Sequence, residues 1–312
     1  MKIVFMGTPD FAEKSLEAVY NAGHEILAVV TNPDRPKGRG MKMVASPAKE
    51  FAISKELKIY QPEKVRKNID FIEEIKALEP DVICVVAYGK ILPKEILEIP
   101  KFGCINVHGS LLPKYRGAAP IQWAVINGEK VTGVTTMYMD VGMDTGDMIL
   151  KEETEIAPDE TTGELWDRLA KIGAGLLVKT LEQIENKTAP RIPQGEDFSM
   201  APMLDKEMSK IDWESKTAQE IKNLVRGLNP IMGTYSYLNR KKIKIWKVDV
   251  VEADNENVKN GTVLKSDSKD GLYIKAKDGV IKVLEIQGEN AKRMNIQDFL
   301  RGNKIEVGSI FE

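Results

Sequence analysis

Short apolar segments alternate with helical patterns through the first half of the chain, and this alternation constrains the fold more than any other feature. Apolar runs predict strands at residues 2–7, 25–32, 81–89 and 103–110. Helical patterns lie between them, at residues 10–21, 47–56 and 69–78. Apolar strands separated by helices are typical of a parallel sheet that is covered on both faces. We therefore predict an α/β domain with a doubly wound, mostly parallel sheet.

The pattern changes after a segment that is rich in proline. Residues 190–205 include Pro190, Pro193 and Pro202 and show no periodicity, which is typical of a linker. Short strands then follow one another, with Lys-Asp-Gly turns at residues 269–271 and 277–279. Regularly spaced short strands predict a small β-barrel. The sequence thus predicts two domains, residues 1–189 and 206–312, joined by a linker at residues 190–205.

Charge is distributed unevenly between these predicted domains. The whole chain of 312 residues has 45 basic and 47 acidic side chains. Residues 1–205 have a net charge of −6, whereas residues 206–312 have a net charge of +4. A basic second domain after an acidic first one suggests that the second domain binds an anion.

Composition argues against several classes of protein. The longest uncharged run has 13 residues, 227–239, and is too short for a transmembrane helix. The first residues, MKIVFMGTPDF, lack the apolar core of a signal peptide, so we expect a cytoplasmic protein. Cys84 and Cys104 lie in apolar stretches and are expected to be buried, reduced thiols. We expect no structural zinc, because no Cys/His cluster has ligand spacing.

Two polar side chains lie on the predicted strand at residues 103–110. Asn106 and His108 are two residues apart near the end of the strand, so their side chains share a face. An asparagine amide can donate a hydrogen bond to a developing oxyanion, and histidine exchanges protons near neutral pH. Ligands of open α/β sheets bind at the carboxyl ends of strands. The pair is a candidate catalytic site, and a structural histidine is the alternative.

An acidic turn could supply a partner for that histidine. Residues 140–147 read DVGMDTGD and contain three aspartates and two glycines after an apolar strand. Glycine allows a tight turn that brings a carboxylate close to a site. An ordinary solvated turn is the alternative.

A basic loop follows the second predicted strand. Residues 32–49 contain one acidic residue, Asp34, and five basic ones: Arg35, Lys37, Arg39, Lys42 and Lys49. Prolines and glycines predict that the loop forms no regular element, and long loops at strand ends are often functional. Contact with phosphate groups is the functional interpretation, and a solvated loop is the alternative.

A basic strand is predicted in the second domain. Residues 240–247, RKKIKIWK, contain five basic residues and no acidic one. Alternation predicts two faces, one with Lys242, Lys244 and Trp246 and the other with Ile243, Ile245 and Lys247. With the positive net charge, this pattern favours contact with a nucleic-acid backbone, and a solvated strand face is the alternative.

Several long segments together resemble one enzyme family. They are FMGTPDFA at residues 5–12, NPDRPKGRG at 32–40, INVHGSLLPKYRGAAPIQWAVINGE at 105–129, DVGMDTGD at 140–147, KIDWESKTAQEI at 210–221, RGLNP at 226–230 and IKIWK at 243–247. These segments resemble the formyltransferases that use 10-formyltetrahydrofolate, and in particular the members that act on methionyl-tRNA. The resemblance extends over nearly the whole chain.

The resemblance implies a formyltransferase domain joined by a linker to a smaller C-terminal OB-like β-barrel that binds tRNA. The catalytic residues that it implies are Asn106, His108 and Asp144. The folate-binding segment that it implies is Ser110, Leu111, Leu112 and Pro113. The basic loop corresponds to one that enters the acceptor stem of tRNA, and the basic strand adds further candidates. The tRNA-contacting residues expected from both are Arg35, Lys37, Arg39, Lys42, Lys242 and Lys244.

The activity implied is transfer of the formyl group of 10-formyltetrahydrofolate to the α-amino group of initiator methionyl-tRNA. The products are N-formylmethionyl-tRNA, for translation initiation, and tetrahydrofolate. His108 would move the amine proton towards the leaving folate nitrogen, Asn106 would hold the oxyanion, and Asp144 would orient His108. The reaction requires no metal, and we expect a monomer that does not bind membranes.

Other functions fit parts of the sequence. The same three residues would hydrolyse formyltetrahydrofolate if water replaced the amine, or would formylate the amine of a nucleotide sugar. Both leave the basic loop and the basic second domain unexplained. A non-catalytic RNA-binding protein on the same scaffold is a third alternative. A dehydrogenase fits least, because the turn at residues 7–10 lacks the glycine fingerprint of dinucleotide-binding folds.

Overall fold

The computed structural model describes residues 1–37, 42–252 and 258–312. The chain divides into two compact units. The first contains Met1–Pro120, Val131–Glu155 and Trp166–Pro202, and the second contains Ile121–Lys130, Ile156–Leu165 and Met203–Glu312. The chain leaves the first unit for the last time after Pro202. This position lies within the predicted linker at residues 190–205.

Before residue 190, the described residues form nine strands and six helices. The strands are β1 (Lys2–Gly7), β2 (Glu25–Val30), β3 (Arg35–Lys37), β4 (Lys42–Val44), β5 (Ile59–Tyr60), β6 (Val82–Val86), β7 (Cys104–His108), β8 (Val131–Tyr138) and β9 (Met148–Glu155). The helices are α1 (Asp10–Asn21), α2 (Pro47–Ser54), α3 (Ile69–Ala77), α4 (Lys94–Leu97), α5 (Pro120–Ile126) and α6 (Thr162–Glu185).

Seven of these strands form the central sheet of the first unit. Their order is β5-β2-β1-β6-β7-β8-β9. The first five pair in parallel, whereas β8 runs antiparallel to β7 and β9 runs antiparallel to β8. The prediction of a mostly parallel α/β sheet is confirmed. Strand β9 runs antiparallel to β8 because a turn joins these two strands as a hairpin, with no helix between them.

The helical periodicity of the sequence locates the core of this unit. Helix α1 spans the predicted residues, and its apolar positions Phe11, Leu16 and Val19 are buried. Helix α2 begins after Ser46, whose hydroxyl accepts a hydrogen bond from the Lys49 backbone N–H. This hydroxyl caps one of the free N–H groups at the helix start.

Both cysteine side chains are buried and unpaired, and burial raises the pKa of Cys104 to about 12.

The basic loop at residues 32–49 differs from its prediction. Strands β3 and β4 pair antiparallel, with Arg35 opposite Val44, so regular structure forms where the sequence predicted none. Pro36 is tolerated because a two-stranded ribbon has edges at which a missing N–H donor costs no ladder hydrogen bond. Lys49 also lies 2.6 Å from the Asp34 carboxylate, so this pair removes one of the five basic side chains from the set available to phosphate.

The second unit contains an antiparallel sheet, and its described residues after 203 also form a 3₁₀ turn and two α-helices. Its strands are β10 (Thr234–Leu238), β11 (Lys241–Val251), β12 (Val263–Asp267), β13 (Gly271–Lys275), β14 (Val280–Gln287) and β15 (Met294–Asn295). Its helices after residue 203 are the 3₁₀ turn Glu207–Ser209, α7 (Ala218–Gly227) and α8 (Ile296–Gly302). The strands pair in the order β10-β11-β14-β13-β12, with β15 beside β14.

The last residues of the chain close this sheet into a small barrel. Phe311 bridges to Leu238 on β10, and Ile310 bridges to Thr262 beside β12. Those two strands are the opposite edges of the sheet. Pairing both edges with one segment removes the exposed donors and acceptors of an open sheet. The prediction of a small C-terminal β-barrel is confirmed.

The predicted alternation on β11 holds only for its first part. Ile243 and Ile245 are buried, as one face of the prediction requires, but Trp246 is buried as well and Lys247 is exposed. The prediction that Lys247 shares a face with the two isoleucines is wrong. The pairing register of β11 with β14 shifts between Ile245 and Val248, and such an irregularity rotates the side chains that follow it.

Over residues 1–37, 42–252 and 258–312, every helix is either too short or too polar to cross a bilayer.

Candidate active site

Strand β7 carries the two polar residues that the sequence singles out. Asn106 and His108 are separated by one residue on this strand, so both side chains lie on one face of the sheet. Asn106 lies opposite Met137 and His108 opposite Thr135 on the neighbouring strand β8. The sequence placed both residues correctly, because the strand is apolar apart from these two positions.

Both ring nitrogens of His108 face a polar group. The side chain is buried, and its Nε2 lies 2.8 Å from the carbonyl oxygen of Tyr115, to which an N–H can donate. Nδ1 lies 3.7 Å from Oδ2 of Asp144. With the Nε2 proton held by a carbonyl, Nδ1 is the nitrogen that can gain and lose a proton, and it does so beside a carboxylate.

The acidic turn brings one of its three aspartates to this histidine. Asp144 has a positive φ of 55°, a left-handed conformation that is uncommon for a residue with a side chain. Its Oδ2 accepts a hydrogen bond of 2.8 Å from the backbone N–H of Gly117. The carboxylate is therefore fixed from one side by a backbone amide while it faces the imidazole on the other.

The other two aspartates of this turn have local roles. Oδ1 of Asp140 accepts hydrogen bonds from the backbone N–H of Gly142 and the hydroxyl of Thr145. Asp147 lies 3.5 Å from the guanidinium of Arg191. The interpretation of the segment as an ordinary acidic turn holds for these two residues, whereas Asp144 has the position expected of a catalytic partner.

Asn106 has an available amide beside this pair. The side chain is half-buried, and within residues 1–37, 42–252 and 258–312 no group forms a hydrogen bond with it. A polar side chain on a sheet face that lacks a protein partner is ready to bind a ligand. Asn106, His108 and Asp144 together offer a hydrogen-bond donor, a proton acceptor and a negative charge.

The segment after β7, Ser110–Pro113, turns two of its four side chains inward. Ser110 is buried, and its hydroxyl donates to the carbonyl oxygen of Lys114 at 2.6 Å. Leu112 is buried in a cluster with Met137 and Met148. Leu111 and Pro113 are half-buried. A role for the four residues in binding folate stays a prediction, and Leu111 and Pro113 are the members that solvent reaches.

Thr135 fixes the course of that segment. Its hydroxyl donates to the carbonyl oxygen of Ser110 at 2.7 Å and accepts from the backbone N–H of Leu112 at 3.1 Å. Because Thr135 lies opposite His108 on β8, one hydroxyl links the strand that carries the histidine to the segment that follows it. No pattern in the sequence indicates this role of Thr135.

The candidate tRNA-binding residues lie in different environments. In the basic loop, Arg35 is exposed and Arg39 lies outside the described residues. Lys37 and Lys42 pair at the end of the β3–β4 ribbon, and only their backbone is described. In the barrel, Lys242 is exposed over the ring of Tyr235 at 3.5 Å, whereas the Lys244 amine donates to the Met232 carbonyl oxygen at 3.0 Å.

Comparison with known proteins identifies the family. The Formyl transferase model matches residues 1–181, and the model for the Formyl transferase C-terminal domain matches residues 203–304. The chain therefore belongs to the formyl transferase family, as its sequence motifs predict.

Curated relatives and a solved structure agree with this family. A methionyl-tRNA formyltransferase of Acetivibrio thermocellus is 51% identical over 311 residues, which cover 99% of each chain. One from Clostridioides difficile is 53% identical over 311 residues, with the same coverage. The fold is similar to that of an N-formyltransferase from Helicobacter canadensis in complex with folinic acid and dTDP-3-aminofucose, with a TM-score of 0.68 and 21% identity over 94% of this chain and all of that one.

Proposed function

We propose that this enzyme transfers the formyl group of 10-formyltetrahydrofolate to the α-amino group of initiator methionyl-tRNA, for translation initiation. The proposed chemical step rests on the position of His108 Nδ1, which lies 3.7 Å from the Asp144 carboxylate. The choice of acceptor is supported by the relatives, since two that carry this activity in their names are 51% and 53% identical over nearly the whole chain.

The proton path follows from the contacts of His108. The acceptor amine attacks the formyl carbon, and a C–N bond forms as the bond to the folate nitrogen breaks. His108 Nδ1 takes the proton that the amine loses and returns it to the leaving nitrogen. Asp144 stabilises the imidazole while it holds this proton, and the Tyr115 carbonyl keeps Nε2 protonated throughout.

Asn106 has the role of stabilising the negative charge that develops on the formyl oxygen. The formyl oxygen becomes an oxyanion when the amine adds to the carbon, and the Asn106 amide can donate a hydrogen bond to it. One well-placed donor of this kind stabilises a transition state by about 3–4 kcal/mol. Holding both substrates in line contributes much of the remaining rate acceleration.

The turn that carries Asp144 also suits an aromatic donor. Val141 and Met143 expose 76% and 56% of their surface on this turn, close in sequence to the catalytic carboxylate. Exposed apolar side chains beside a polar site are typical of surfaces that bind a flat ligand ring. This supports a folate as the formyl donor, with 10-formyltetrahydrofolate as the specific proposal.

For the acceptor substrate, we propose that the barrel and the basic loop bind tRNA. Residues 206–312 have a net charge of +4, and the exposed Lys242 lies over the half-buried ring of Tyr235, so a cation and an aromatic ring are joined on one surface. Such combinations bind nucleic-acid backbones and unstacked bases. We propose residues 1–189 as the catalytic region and residues 206–312 as the RNA-binding region of a cytoplasmic monomer.

The direct test is an assay of acceptor dependence. The protein is incubated with a formyl donor labelled in its formyl group and with methionyl-tRNA, and the label is followed on the methionine. We expect label on methionyl-tRNA and little release of free formate when the acceptor is omitted. Rapid donor hydrolysis without acceptor would favour a hydrolase, and label on an amino sugar alone would favour a sugar formyltransferase.

A further inference from the structure

A short segment between the two family matches crosses the active site. This crossing segment, residues 191–201, lies after the first matched region ends at residue 181 and before the second begins at residue 203. At both ends it pairs with other segments of the first unit. Ile192 and Met148 exchange two backbone hydrogen bonds, and Ala201 N–H donates to the carbonyl oxygen of Arg116 at 2.7 Å.

Gln194 is the side chain of the crossing segment that binds the backbone of Asp144 and Gly146, whereas Arg191 of the same segment contacts the Asp147 carboxylate. Its Nε2 lies 2.8 Å from the carbonyl oxygen of Asp144 and 2.8 Å from that of Gly146, so one amide group donates to both. Its Oε1 accepts a hydrogen bond of 2.9 Å from Nε of Arg116. A primary amide supplies two donors and an acceptor at these distances, and no other side chain of similar length does so.

Two groups face the His108 imidazole, and both belong to backbone segments that Gln194 binds. Asp144, which faces Nδ1, has its own carbonyl oxygen bound by Gln194. Tyr115, whose carbonyl oxygen faces Nε2, directly precedes Arg116, whose side chain Gln194 also binds. One side chain therefore connects the two backbone segments between which the imidazole lies.

The backbone of Asp144 explains why such support is needed. Its φ of 55° is disfavoured for a residue with a side chain, and a disfavoured conformation persists only where surrounding contacts enforce it. The Gly117 N–H fixes the Asp144 carboxylate, and Gln194 fixes the carbonyl of the same residue. Without the second contact, the turn could relax and move the carboxylate away from Nδ1.

We propose that Gln194 is a positioning residue for formyl transfer, because its carboxamide holds the Asp144 turn and the Arg116 segment around the His108 imidazole. Gln194 does not touch the substrates, and it acts through Asp144. This inference rests on the proposed function, and it makes part of the predicted linker a component of the active site.

The first experiment compares three variants under single-turnover conditions. Gln194→Met keeps the length and approximate volume of the side chain but removes its hydrogen bonds, and Gln194→Glu places a carboxylate against two carbonyl oxygens. Glu196→Ala is the matched control, because Glu196 is exposed on the same segment. We expect both Gln194 variants to slow transfer by about 10- to 100-fold while KM for the donor stays nearly constant, and the control to equal wild type.

A double-mutant cycle with Asp144→Ala separates positioning from a general structural role. If Gln194 acts through Asp144, adding Gln194→Met to Asp144→Ala costs less than about twofold in rate. Multiplicative losses in the double variant would overturn the proposal, and so would a Gln194→Met rate within twofold of wild type.

The same measurements distinguish failure of this proposal from failure of the proposed function. If Asp144→Ala slows transfer but Gln194→Met does not, only the positioning role of Gln194 is wrong. If Asp144→Ala leaves the rate unchanged, the catalytic assignment itself is wrong. Thermal unfolding of each variant provides the folding control, and Gln194→Glu keeps the test available if Gln194→Met unfolds at the assay temperature.

Discussion

Each of the two units has a turn, rich in aspartate and glycine, that joins two antiparallel strands. The two turns differ in how far along the chain the hydrogen-bond partners of their aspartates lie. In the turn between β8 and β9, Asp144 is bound by Gly117 and by Gln194, which lie 27 and 50 residues away along the chain. In the turn between β12 and β13, the Asp267 carboxylate accepts from the backbone N–H groups of Lys269 and Asp270. Asp144 is held by distant residues, whereas Asp267 is held by residues of its own turn.

The difference shows which kind of turn can carry chemistry. A carboxylate that binds its own turn stabilises that turn and has no defined position relative to other elements. A carboxylate that is held by distant segments has a fixed position relative to them, as a catalytic group requires. Composition does not distinguish the two, since both turns are rich in aspartate and glycine.

The comparison predicts the largest effect at Asp144. Asp144→Ala removes the charge beside Nδ1 of His108, and we expect the single-turnover rate of transfer to fall by about 100-fold or more. Asp267→Ala in the barrel turn is the matched control and should leave that rate unchanged at saturating tRNA. Equal losses in the two variants would contradict the distinction between the turns.

A smaller effect is expected from the glycines of the turns. A Cβ atom at Gly146 would lie 1.8 Å from the carbonyl oxygen of Tyr138, whereas at Gly279, in a barrel turn, the nearest atom is 3.5 Å away. Gly146→Ala should lower the free energy of unfolding by about 1–3 kcal/mol, because the backbone must shift. The shift should also slow transfer, since the Gly146 carbonyl oxygen binds Gln194.

Chemical denaturation and single-turnover kinetics of both glycine variants test this expectation. Gly279→Ala should resemble wild type in stability and in rate. A Gly146→Ala protein with wild-type stability would mean that the turn is not as tightly constrained as its contacts indicate.

The barrel should affect affinity rather than rate. Lys242→Ala should weaken tRNA binding a few-fold and reduce the slope of log affinity against log salt by about 0.9, one phosphate contact. Lys265→Ala is the control, because Lys265 already pairs with Asp270. Binding titrations at several salt concentrations measure both slopes, and equal slopes for wild type and Lys242→Ala would exclude Lys242 from the tRNA interface.

The smallest effect is expected at Asp270. The hydrogen bond and charge of Lys265 hold the pKa of this carboxyl below its ordinary value. A group whose pKa is lowered by folding stabilises the protein above its unfolded pKa, about 3.9, and loses that contribution as the pH falls through its folded pKa. Asp270→Asn should therefore slightly destabilise the protein at pH 7 but not near pH 2, which urea unfolding at both pH values can measure.

Periodicity predicted most of the fold correctly, because periodicity reports local structure. The bounds of α1 and the apolar strands β6 and β7 follow from residues that are neighbours in sequence. The β3–β4 ribbon was missed because proline and glycine usually break strands, although an isolated ribbon tolerates them. The direction of β8 depends on its neighbours in space, and the apolar pattern of the strand carries no information about it.

The positions of the candidate catalytic residues could be predicted from the residue pattern only in part. Asn106 and His108 are polar exceptions in an apolar strand, so the pattern itself marked them. The residue pattern alone did not separate Asp144 from Asp140 and Asp147, which only the family resemblance distinguished, because the contacts that set Asp144 apart come from Gly117 and His108. Gln194 gave no signal, since it lies in a proline-rich segment without periodicity and acts through partners that are about 50 or more residues away along the chain.

The central claim is that the His108 imidazole moves the proton during formyl transfer. Its most direct test is the single-turnover rate of His108→Ala with saturating donor and methionyl-tRNA, measured alongside donor binding. We expect the rate to fall by about 10²- to 10⁴-fold while the donor still binds. A fall of less than about tenfold in a variant that binds the donor normally would contradict this role for His108.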